Sequence, residues 1–332
     1  MRVAVLGAGS IGCYIGGRLQ AHGHQVTFIG RAPTVHALRS HGLTLSDTIG
    51  WKYTLTPNQV AVTTDHMTAR GADVVLVTTK SAGTQGAADI LTDVLDRRTT
   101  VLSLQNGVRN VAVLQSRLQG HDVVAGMVPF NVARVDAGSF HQGSRGRVVI
   151  ASGHPAITTM LSRAGLRAAS HSNMHAVQWG KLIMNLNNAI NGISGIPLKE
   201  QLEDRSYRLV LACAQTEALD AARAAGQHVV SPIRIPLRWF PAALKTPDPV
   251  FRHATSHVLA IDPLARSSLL DDLIAGRATE VDHINGEIVT LADRAGIQAP
   301  INAGLLQIVH TIENNSGLTM SGPELVRAVL NG

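Results

Sequence analysis

A lysine and four asparagines interrupt an otherwise apolar stretch of the chain, VQWGKLIMNLNNAINGISGI, residues 177–196. Lys181, Asn185 and Asn188 are spaced i, i+4 and i+7, so one continuous helix would place them on a common face. A solvated helix face usually carries Glu, Arg or Gln instead, because asparagine is a poor helix former. An ammonium group can stabilise and protonate an oxygen on which negative charge develops. We interpret this face as a candidate catalytic surface; the alternative is the solvated side of an amphipathic helix.

A second polar cluster occurs in SSLLDDLIAGRATEVDHINGEIV, residues 267–289. Gly276 is expected to interrupt a helix, and Thr279 to cap the next one, with Asp282 three residues further on. Glu280 would then lie in a first helical turn, where the helix dipole favours a carboxylate. Helix capping alone also explains this pattern, so the spacing leaves both a structural and a functional role open.

The N-terminal residues combine a short apolar strand pattern, RVAVLGAG, with a helix pattern that follows directly. Between them, Gly7, Gly9 and Gly12 form the G-x-G-x-x-G spacing of dinucleotide-binding loops. The first glycine permits a tight turn, the second admits a pyrophosphate, and the third allows helix and strand to pack closely. Free N–H groups at the helix N-terminus would then bind the phosphates. The expected cofactor-binding loop comprises Gly7, Ala8, Gly9, Ser10, Ile11 and Gly12.

Three further residues at expected strand ends are candidates for cofactor binding. Arg31 follows the second strand, where an NAD-preferring site usually places an Asp or Glu for the ribose 2′-hydroxyl. Because no carboxylate is present there, and arginine pairs well with a 2′-phosphate, we expect NADP(H) as the cofactor. Lys80 and Asn106 follow two later strands, at the sheet edge where such folds bind ligands. Asn106 is also a candidate for binding the substrate.

Strand and helix patterns alternate as far as about residue 172, and helical periodicity follows, which predicts two domains. Residues 1–172 are expected to form a Rossmann-type doubly wound parallel sheet that binds NADP(H), closed by a hairpin over 130–151. Residues 173–332 are expected to form a helical domain that binds the substrate, so the fold class is α/β plus all-α. The proline-rich segment 231–249 is predicted to form a loop or short turns, with a lid as one interpretation. Helices are predicted over 174–192, 203–226, 263–275 and 279–295, and after Gly322.

The composition of the 332-residue chain narrows the possible partners: it is 45% hydrophobic and 16% charged, with a formal net charge of +6. Aromatic residues make up 3%, too few for the base-stacking platforms of nucleic-acid-binding proteins, whereas the positive charge suits an anionic cofactor or substrate. Two cysteines without metal or redox spacing favour a reducing cytoplasm. No apolar run is long enough to span a membrane. The pairs His171/His175 and His253/His257 have i, i+4 spacing but lack a third ligand nearby, so no metal site is expected.

Together, these motifs resemble the ketopantoate reductase (2-dehydropantoate 2-reductase) family. The resemblance covers nearly the whole chain through GAGSIG, TTK, QNG, WGKLIMNLNNAINGISG and SSLLDDLIAGRATEVDHINGEI. It implies a Rossmann domain joined to a helical domain, and NADPH-dependent reduction of the small 2-oxo acid 2-ketopantoate to pantoate, a step of pantothenate biosynthesis. By the same resemblance, Lys181 is the general acid, Asn185 binds the substrate and Ser268 binds its carboxylate. Glu280 matches a glutamate that binds the substrate and is grouped with the catalytic and cofactor-binding residues; Asp272 matches a family aspartate.

Two departures from the family pattern leave the substrate open. The position eight residues after the lysine often carries a second asparagine but is Ala189 here, so Asn188 or Asn191 is expected to replace it. The segment 231–249 also looks like an insertion relative to the shortest members. Alternatives are a paralogous dehydrogenase acting on another branched 2-oxo acid, a β-hydroxyacid dehydrogenase, and a non-catalytic NADP(H)-binding sensor. A homodimer is compatible with the sequence, although no feature decides it.

Overall fold

Residues 1–175 form the first of two units into which the chain divides, and residues 176–332 form the second. The division falls close to the boundary after residue 172 that the sequence predicts. The computed structural model describes residues 1–233, 235–255, 265–315 and 317–330. The strands of the described residues are β1 (Arg2–Leu6), β2 (Gln25–Ile29), β3 (Leu43–Asp47), β4 (Lys52–Leu55), β5 (Ala61–Thr63), β6 (Val74–Val77), β7 (Thr100–Ser103), β8 (Asp122–Met127), β9 (Val132–Asp136), β10 (Ser139–Gln142), β11 (Val149–Ala151) and β12 (Ala169–His171).

Eight of these strands form the main sheet, in the order β12-β11-β8-β7-β6-β1-β2-β5. Neighbouring strands are parallel except for the antiparallel pair β8 and β11. Every residue of β6 is buried, as expected for a central strand covered on both faces. The helices of this unit are α1 (Ser10–Ala21), α2 (Ala32–His41), α3 (Thr84–Val94), α4 (Asn110–Arg117) and α5 (Pro155–Leu161). This arrangement confirms the predicted Rossmann-type doubly wound sheet.

A second, four-stranded sheet has the order β4-β3-β10-β9. The hairpin predicted over 130–151 to close the domain is found in part: β11, at the end of this range, joins the main sheet, whereas β9 and β10 form an antiparallel hairpin. It pairs instead with β3, because Leu43, Leu45 and Phe140 are buried and point toward a shared apolar layer. Helix α1 covers this layer closely: a Cβ at Gly17 would lie 2.5 Å from the side chain of Leu45. The main sheet ends in β12, next to β11, on one side and in β5 on the other.

The helices that begin at residue 174 or later build the second unit, which is helical, as predicted. They are α6 (Met174–Asn185), α7 (Asn187–Ser194), α8 (Leu198–Glu203), α9 (Arg205–Ala224), α10 (Phe240–Leu244), α11 (Asp248–Thr255), α12 (Ser268–Ile274), α13 (Asn285–Arg294), α14 (Pro300–Asn314) and α15 (Gly322–Leu330). Helix α14 was not predicted. The predicted helix over 263–275 begins at Ser268, and its first two residues lie outside the described residues. None of the helices in the described part of the chain has the length and apolar character that a membrane span requires.

The proline-rich segment 231–249 contains a short 3-10 turn at Leu237–Trp239, followed by α10. Its C-terminal part is fixed by Arg208 of α9, whose side chain is completely buried. The guanidinium donates to the backbone oxygens of Leu244 and Thr246 at 3.2 and 3.0 Å and pairs with Asp248 at 2.7 Å. A guanidinium is planar and has five N–H donors, so it can bond to several acceptors that lie close together. Short turns occupy the segment, and its end is anchored to the helical core of the unit.

Candidate active site

The lysine- and asparagine-bearing stretch folds as two helices, so the single helix predicted over 174–192 is wrong. Helix α6 ends at Asn185 and α7 begins at Asn187, with Leu186 forming a turn between them. The helical hydrogen-bonding pattern tightens at this turn, because the Leu186 N–H donates to the Ile183 oxygen at 3.4 Å. The Ile183 oxygen also accepts from the side chain of Gln215 on α9, a long-range contact that the sequence pattern does not reveal. Lys181 and Asn185 therefore share one helix, and Asn188 lies on the next.

Lys181 and Asn185 lie one helical turn apart on α6. Burial lowers the pKa of the Lys181 ammonium from its ordinary 10.5 to about 8. The side chain of Asn185 is also buried. A lysine that ionises near pH 8 exchanges its proton close to neutral pH far more readily than an exposed lysine, which suits a general acid.

The side chains of Asn191 and Asn187 serve the packing of the second unit. Asn191 is completely buried; its Nδ2 donates to the Ile196 oxygen at 2.8 Å, and its Oδ1 accepts from the Ser267 N–H at 2.9 Å. It thereby ties the C-terminal end of α7 to the start of α12. Asn187 exchanges two hydrogen bonds with Gln201 of α8, at 3.2 and 3.0 Å. Of the two residues considered as replacements for the family asparagine, Asn191 thus serves the packing of the unit.

Asn188 is the remaining candidate, and it is partly exposed. The neighbouring Ala189 is completely buried, so this position contributes to the helical core. The backbone oxygen of Asn188 accepts from the Ser267 hydroxyl at 3.4 Å. This contact brings Asn188 to the N-terminus of α12, where the sequence predicts that Ser268 binds the substrate.

Two adjacent serines at the start of α12 differ in their structural role and in their exposure. Ser267 is the N-cap, and its hydroxyl accepts from the Leu270 N–H at 3.1 Å. Ser268, the first helical residue, is exposed. Asp272, one turn later, is buried and accepts from the Arg277 guanidinium at 3.1 and 3.0 Å. Ser267 thus caps the helix and Asp272 forms an ion pair, whereas Ser268 is exposed on the first turn of the helix.

Glu280 is partly buried in a loop that differs from the predicted helix over 279–295. It precedes a 3-10 turn at Val281–His283, and the α-helix begins only at Asn285. The Thr279 hydroxyl accepts from the Val281 N–H at 3.3 Å, whereas Asp282 lies against His310 of α14. The predicted helix cap formed by Thr279 and Asp282 is therefore wrong, because Asp282 bonds to His310, which is distant in sequence.

The glycine-rich loop of the first unit has the geometry that its spacing predicts. Gly7 has φ +107°, and a Cβ there would lie 2.6 Å from the Thr79 nitrogen. A Cβ at Gly12 would lie 2.5 Å from the Thr78 hydroxyl, whereas a Cβ at Gly9 would have its nearest described neighbour at 4.0 Å. Only the first and third glycines are required by packing, so the second leaves room for a ligand.

Helix α1 begins at Ser10, and its first intrahelical bond is donated by Cys13 to the Gly9 oxygen. The N–H groups of Ser10, Ile11 and Gly12 belong to the first turn, which has no intrahelical acceptors. They can bind an anion at the positive end of the helix dipole. With the open position at Gly9, these residues fit the pyrophosphate of a dinucleotide cofactor.

Three further candidates lie at the same edge of the main sheet, because the parallel strands β1, β2, β6 and β7 all end there. Arg31, exposed, follows β2 and caps α2. Lys80, also exposed, follows β6, and Asn106 follows β7. The structure thus brings Arg31, Lys80 and Asn106 to the edge that carries the glycine-rich loop.

A polar network between the loops after β6 and β7 was not found from the sequence. Gln105 donates to the Thr79 oxygen at 3.0 Å and to the Thr84 hydroxyl at 2.7 Å. The Ser81 hydroxyl donates to the backbone oxygen of Asn106 at 3.0 Å. These bonds hold the Lys80 and Asn106 loops together, and the glutamine before Asn106 in QNG was the available sequence signal.

The histidine pairs do not assemble a metal site among the described residues, where no three His, Cys, Asp or Glu side chains are grouped suitably for a metal ion. His171 lies at the end of β12, with its Nδ1 within 3.1 Å of the Asn173 backbone. His253 lies in α11, and His257 lies outside the described residues.

Comparison with known proteins gives a family match for each of the two units. A family model described as ketopantoate reductase PanE/ApbA matches residues 3–155, and its C-terminal counterpart matches residues 173–313. A PanE/ApbA family ketopantoate reductase structure from Ralstonia eutropha JMP134 is 32% identical, with a TM-score of 0.80, covering 95% of this chain and 99% of its own. The chain belongs to the ketopantoate reductase family. It is therefore related to oxidoreductases that use NAD(P)H.

Two further proteins resemble the chain over nearly its whole length. The 2-dehydropantoate 2-reductase of Pyrococcus horikoshii is 27% identical over 327 residues, covering 96% of this chain and 99% of that protein. A D-mandelate dehydrogenase solved with NADH and anilino(oxo)acetate has a TM-score of 0.79 at 21% identity, covering 95% of this chain and 99% of its own. The ketopantoate reductase fold is thus shared with a dehydrogenase named for another substrate.

Proposed function

We propose that this protein reduces 2-dehydropantoate to pantoate with NADPH, a step of pantothenate and coenzyme A biosynthesis. The observation that carries the proposal is Lys181, a lysine whose pKa is lowered to about 8 by burial, one helical turn before the buried amide of Asn185. The family match over both units supports a reductase, and the lysine supplies the proton donor that reduction of a ketone requires.

The reaction adds a hydride and a proton to a ketone. When bound, the dihydronicotinamide supplies the hydride to the keto carbon. Lys181 stabilises the negative charge that develops on the keto oxygen and then donates a proton to it from Nζ, leaving an alcohol. Solvent returns the proton to the lysine. The charged form of the lysine is thus needed at the start of each turnover.

The other candidate residues orient the substrate. Asn185 and Asn188 present amides, which bind hydroxyl or carboxylate groups without adding a competing charge. Ser268 donates to the substrate carboxylate from the surface of α12. Glu280 accepts a hydrogen bond from a substrate hydroxyl, and Asn106 is included in the substrate-binding set. Each assignment carries over the family resemblance to the residue that stands at that position here.

We propose NADP(H) as the preferred cofactor because Arg31, and not a carboxylate, follows β2. The loop from Gly7 to Gly12 would hold the pyrophosphate, with Lys80 and Asn106 at the same sheet edge. Arg31→Ala should raise the KM for NADPH about tenfold and leave that for NADH nearly unchanged, because a charge-assisted bidentate pair is lost only with the 2′-phosphate. A wild-type enzyme that uses both cofactors equally would refute this assignment.

The function is tested by following NADPH oxidation spectrophotometrically with 2-dehydropantoate and a panel of branched, aromatic and unbranched 2-oxo acids. We expect 2-dehydropantoate to have the highest kcat/KM. In Lys181→Ala we expect kcat to fall about 10²–10⁴-fold, the usual contribution of a general acid. Turnover of the variant within a few-fold of wild type would exclude Lys181 as the acid.

A second candidate is reduction of another bulky 2-oxo acid. Ala189 stands where the family often has a substrate-side asparagine, and its burial leaves no polar group at that position. A structural neighbour of similar TM-score is the D-mandelate dehydrogenase, solved with anilino(oxo)acetate. The same panel decides between the two: a larger kcat/KM for an aromatic or branched acid would favour this alternative. Tight NADPH binding without turnover of any acid would indicate a sensor.

A further inference from the structure

The loop that carries Glu280, residues 279–283, is bonded at both ends to one face of α14. At its start, the Thr279 N–H donates to Glu313 Oε1 at 2.7 Å. Further along, Asp282 Oδ1 lies 3.1 Å from His310 Nε2. His310 Nδ1 lies 2.9 Å from Glu313 Oε2, which closes the connection within α14. Three side chains and one backbone N–H thus form a continuous chain of hydrogen bonds around Glu280.

Helix α14 is itself fixed to α9, so it can hold the loop. The Glu217 carboxylate of α9 accepts from the N–H groups of Ile301 and Asn302, at 2.7 and 2.9 Å, at the positive end of α14. The Asn302 amide is completely buried and donates to the Ala214 oxygen of α9 at 3.0 Å. A helix held in this way at its first turn gives the loop a rigid support.

The charges in this chain of hydrogen bonds favour the bonded arrangement. The hydrogen bond with Glu313 raises the pKa of His310 above its ordinary 6.5; burial opposes this rise, and Asp282 of the loop adds to it. Among the described residues, these two carboxylates are the charged groups that act on His310, one on its own helix and one on the loop. A protonated imidazole donates from both nitrogens and can therefore bond to both carboxylates at once.

We propose that His310 and Glu313 are positioning residues that hold the 279–283 loop so that Glu280 meets the substrate in one orientation. The inference rests on the proposed function, in which Glu280 binds a substrate hydroxyl. Neither residue needs to touch the substrate: Glu313 holds Thr279, the residue before Glu280, and His310 holds Asp282, two residues after it. Because these hydrogen bonds restrain the loop at two points, the connection between α12 and α13 holds the Glu280 carboxylate in a fixed position.

The experiment compares Glu313→Ala with Glu324→Ala. Glu324 of α15 is a matched control, because it also bonds to one backbone N–H and one side chain, here the N–H and the hydroxyl of Ser321 at 2.8 and 2.6 Å. We expect Glu313→Ala to lower kcat/KM for the preferred 2-oxo acid about tenfold or more, since small misplacements of an orienting group are costly. Glu324→Ala should leave it nearly unchanged, and Glu313→Gln, which keeps an acceptor, should restore most of the activity.

A double-mutant cycle separates positioning of Glu280 from general stabilisation. In a Glu280→Ala background, Glu313→Ala should have little further effect on kcat/KM, because the group it positions is absent. Additive losses would show that Glu313 acts on the fold and not through Glu280, and would overturn the proposal.

Amide hydrogen exchange of the free protein gives a second readout that needs no turnover. The peptide covering 279–283 should exchange faster in Glu313→Ala and His310→Gln than in wild type or Glu324→Ala. Unchanged exchange would overturn the restraint itself. If wild type turns over no 2-oxo acid, the proposed function fails and the role of Glu280 fails with it, whereas the exchange result still reports whether α14 holds the loop.

Discussion

At the scale of single residues, the asparagines of the stretch 177–196 divide into two groups. Asn187 and Asn191 bond to polar groups inside the helical unit. Asn185 and Asn188 are, with Lys181, the candidates for binding the substrate. The spacing predicts the pairing of Lys181 with Asn185, because both lie within one helix. The spacing does not reveal the structural role of Asn191, because its partner Ser267 lies 76 residues away in the chain.

The pH dependence of the reduction follows from the lysine. Since the acid must be protonated, and the pKa of Lys181 is lowered to about 8, kcat/KM should be constant at neutral pH and fall as pH rises through about 8. Lys181→Arg, which stays charged, should lose this decline along with most of the activity. Rates measured between neutral and strongly alkaline pH test this, and an alkaline limb that persists in Lys181→Arg would contradict it.

At the scale of elements, helix α6 packs closely against the backbone of Val230, which lies over the glycine just before Lys181. The Val230 N–H donates to the Ala176 oxygen at 2.9 Å, and the Val230 carbonyl lies directly over Gly180. A Cβ at Gly180 would overlap this carbonyl and lie 3.3 Å from the Pro232 ring. The start of the proline-rich segment therefore packs on the helix turn that carries Lys181.

Gly180→Ala should therefore destabilise the protein by about 1–3 kcal/mol, the usual result of overpacking. Gly286→Ala is the matched control: its Cβ would have its nearest neighbours at 3.8 Å, in ordinary contact on α13. That substitution should raise the free energy of unfolding by about 0.4–1 kcal/mol, since it restricts the unfolded chain. Urea denaturation measures both, and equal effects of the two substitutions would show that the Val230 contact is unimportant.

The elements that the sequence analysis missed depend on distant contacts. Helix α14 carries several β-branched residues, which weakens its local helical signal. Its sequence indicates a helix only through Pro300 at the start and the four-residue spacing of Leu305 and Val309. Its first turn is satisfied by Glu217 of α9, 84 residues earlier. For the same reason the loop around Glu280 could not be predicted, because His310 removes Asp282 from its local capping role.

At the scale of the whole molecule, alternation along the sequence predicts the Rossmann-type sheet and the change to helices, because both follow from local periodicity. No local sequence pattern predicts that several hydrogen-bond acceptors surround the Arg208 guanidinium. Its guanidinium bonds to backbone oxygens at the end of α8 and after α10, and it stacks on Phe251 of α11 at 4.2 Å. One side chain of α9 thus joins three neighbouring helices.

Arg208→Met should lower the free energy of unfolding by about 3–5 kcal/mol, because it leaves several buried carbonyls and one carboxylate without their donor. Arg205→Met should have little effect, since Arg205 is exposed and its hydrogen bonds to the Lys245 oxygen are weak, at 3.4 Å. Thermal unfolding of the two variants measures the difference. A similar melting temperature for both would mean that the buried guanidinium contributes no net stability.

The pairing of β3 with β10 has a consequence for the newly made chain. Ser46 of β3 bonds to His141 of β10, which leaves the ribosome 95 residues later. Until then, the hairpin of β3 and β4 must exist with one long edge unpaired and with the apolar side chains of Leu43 and Leu45 lacking part of their cover. Unpaired edges of this kind invite association with other chains. The first unit is thus most vulnerable to aggregation midway through its own synthesis, before the strand that completes its smaller sheet has emerged.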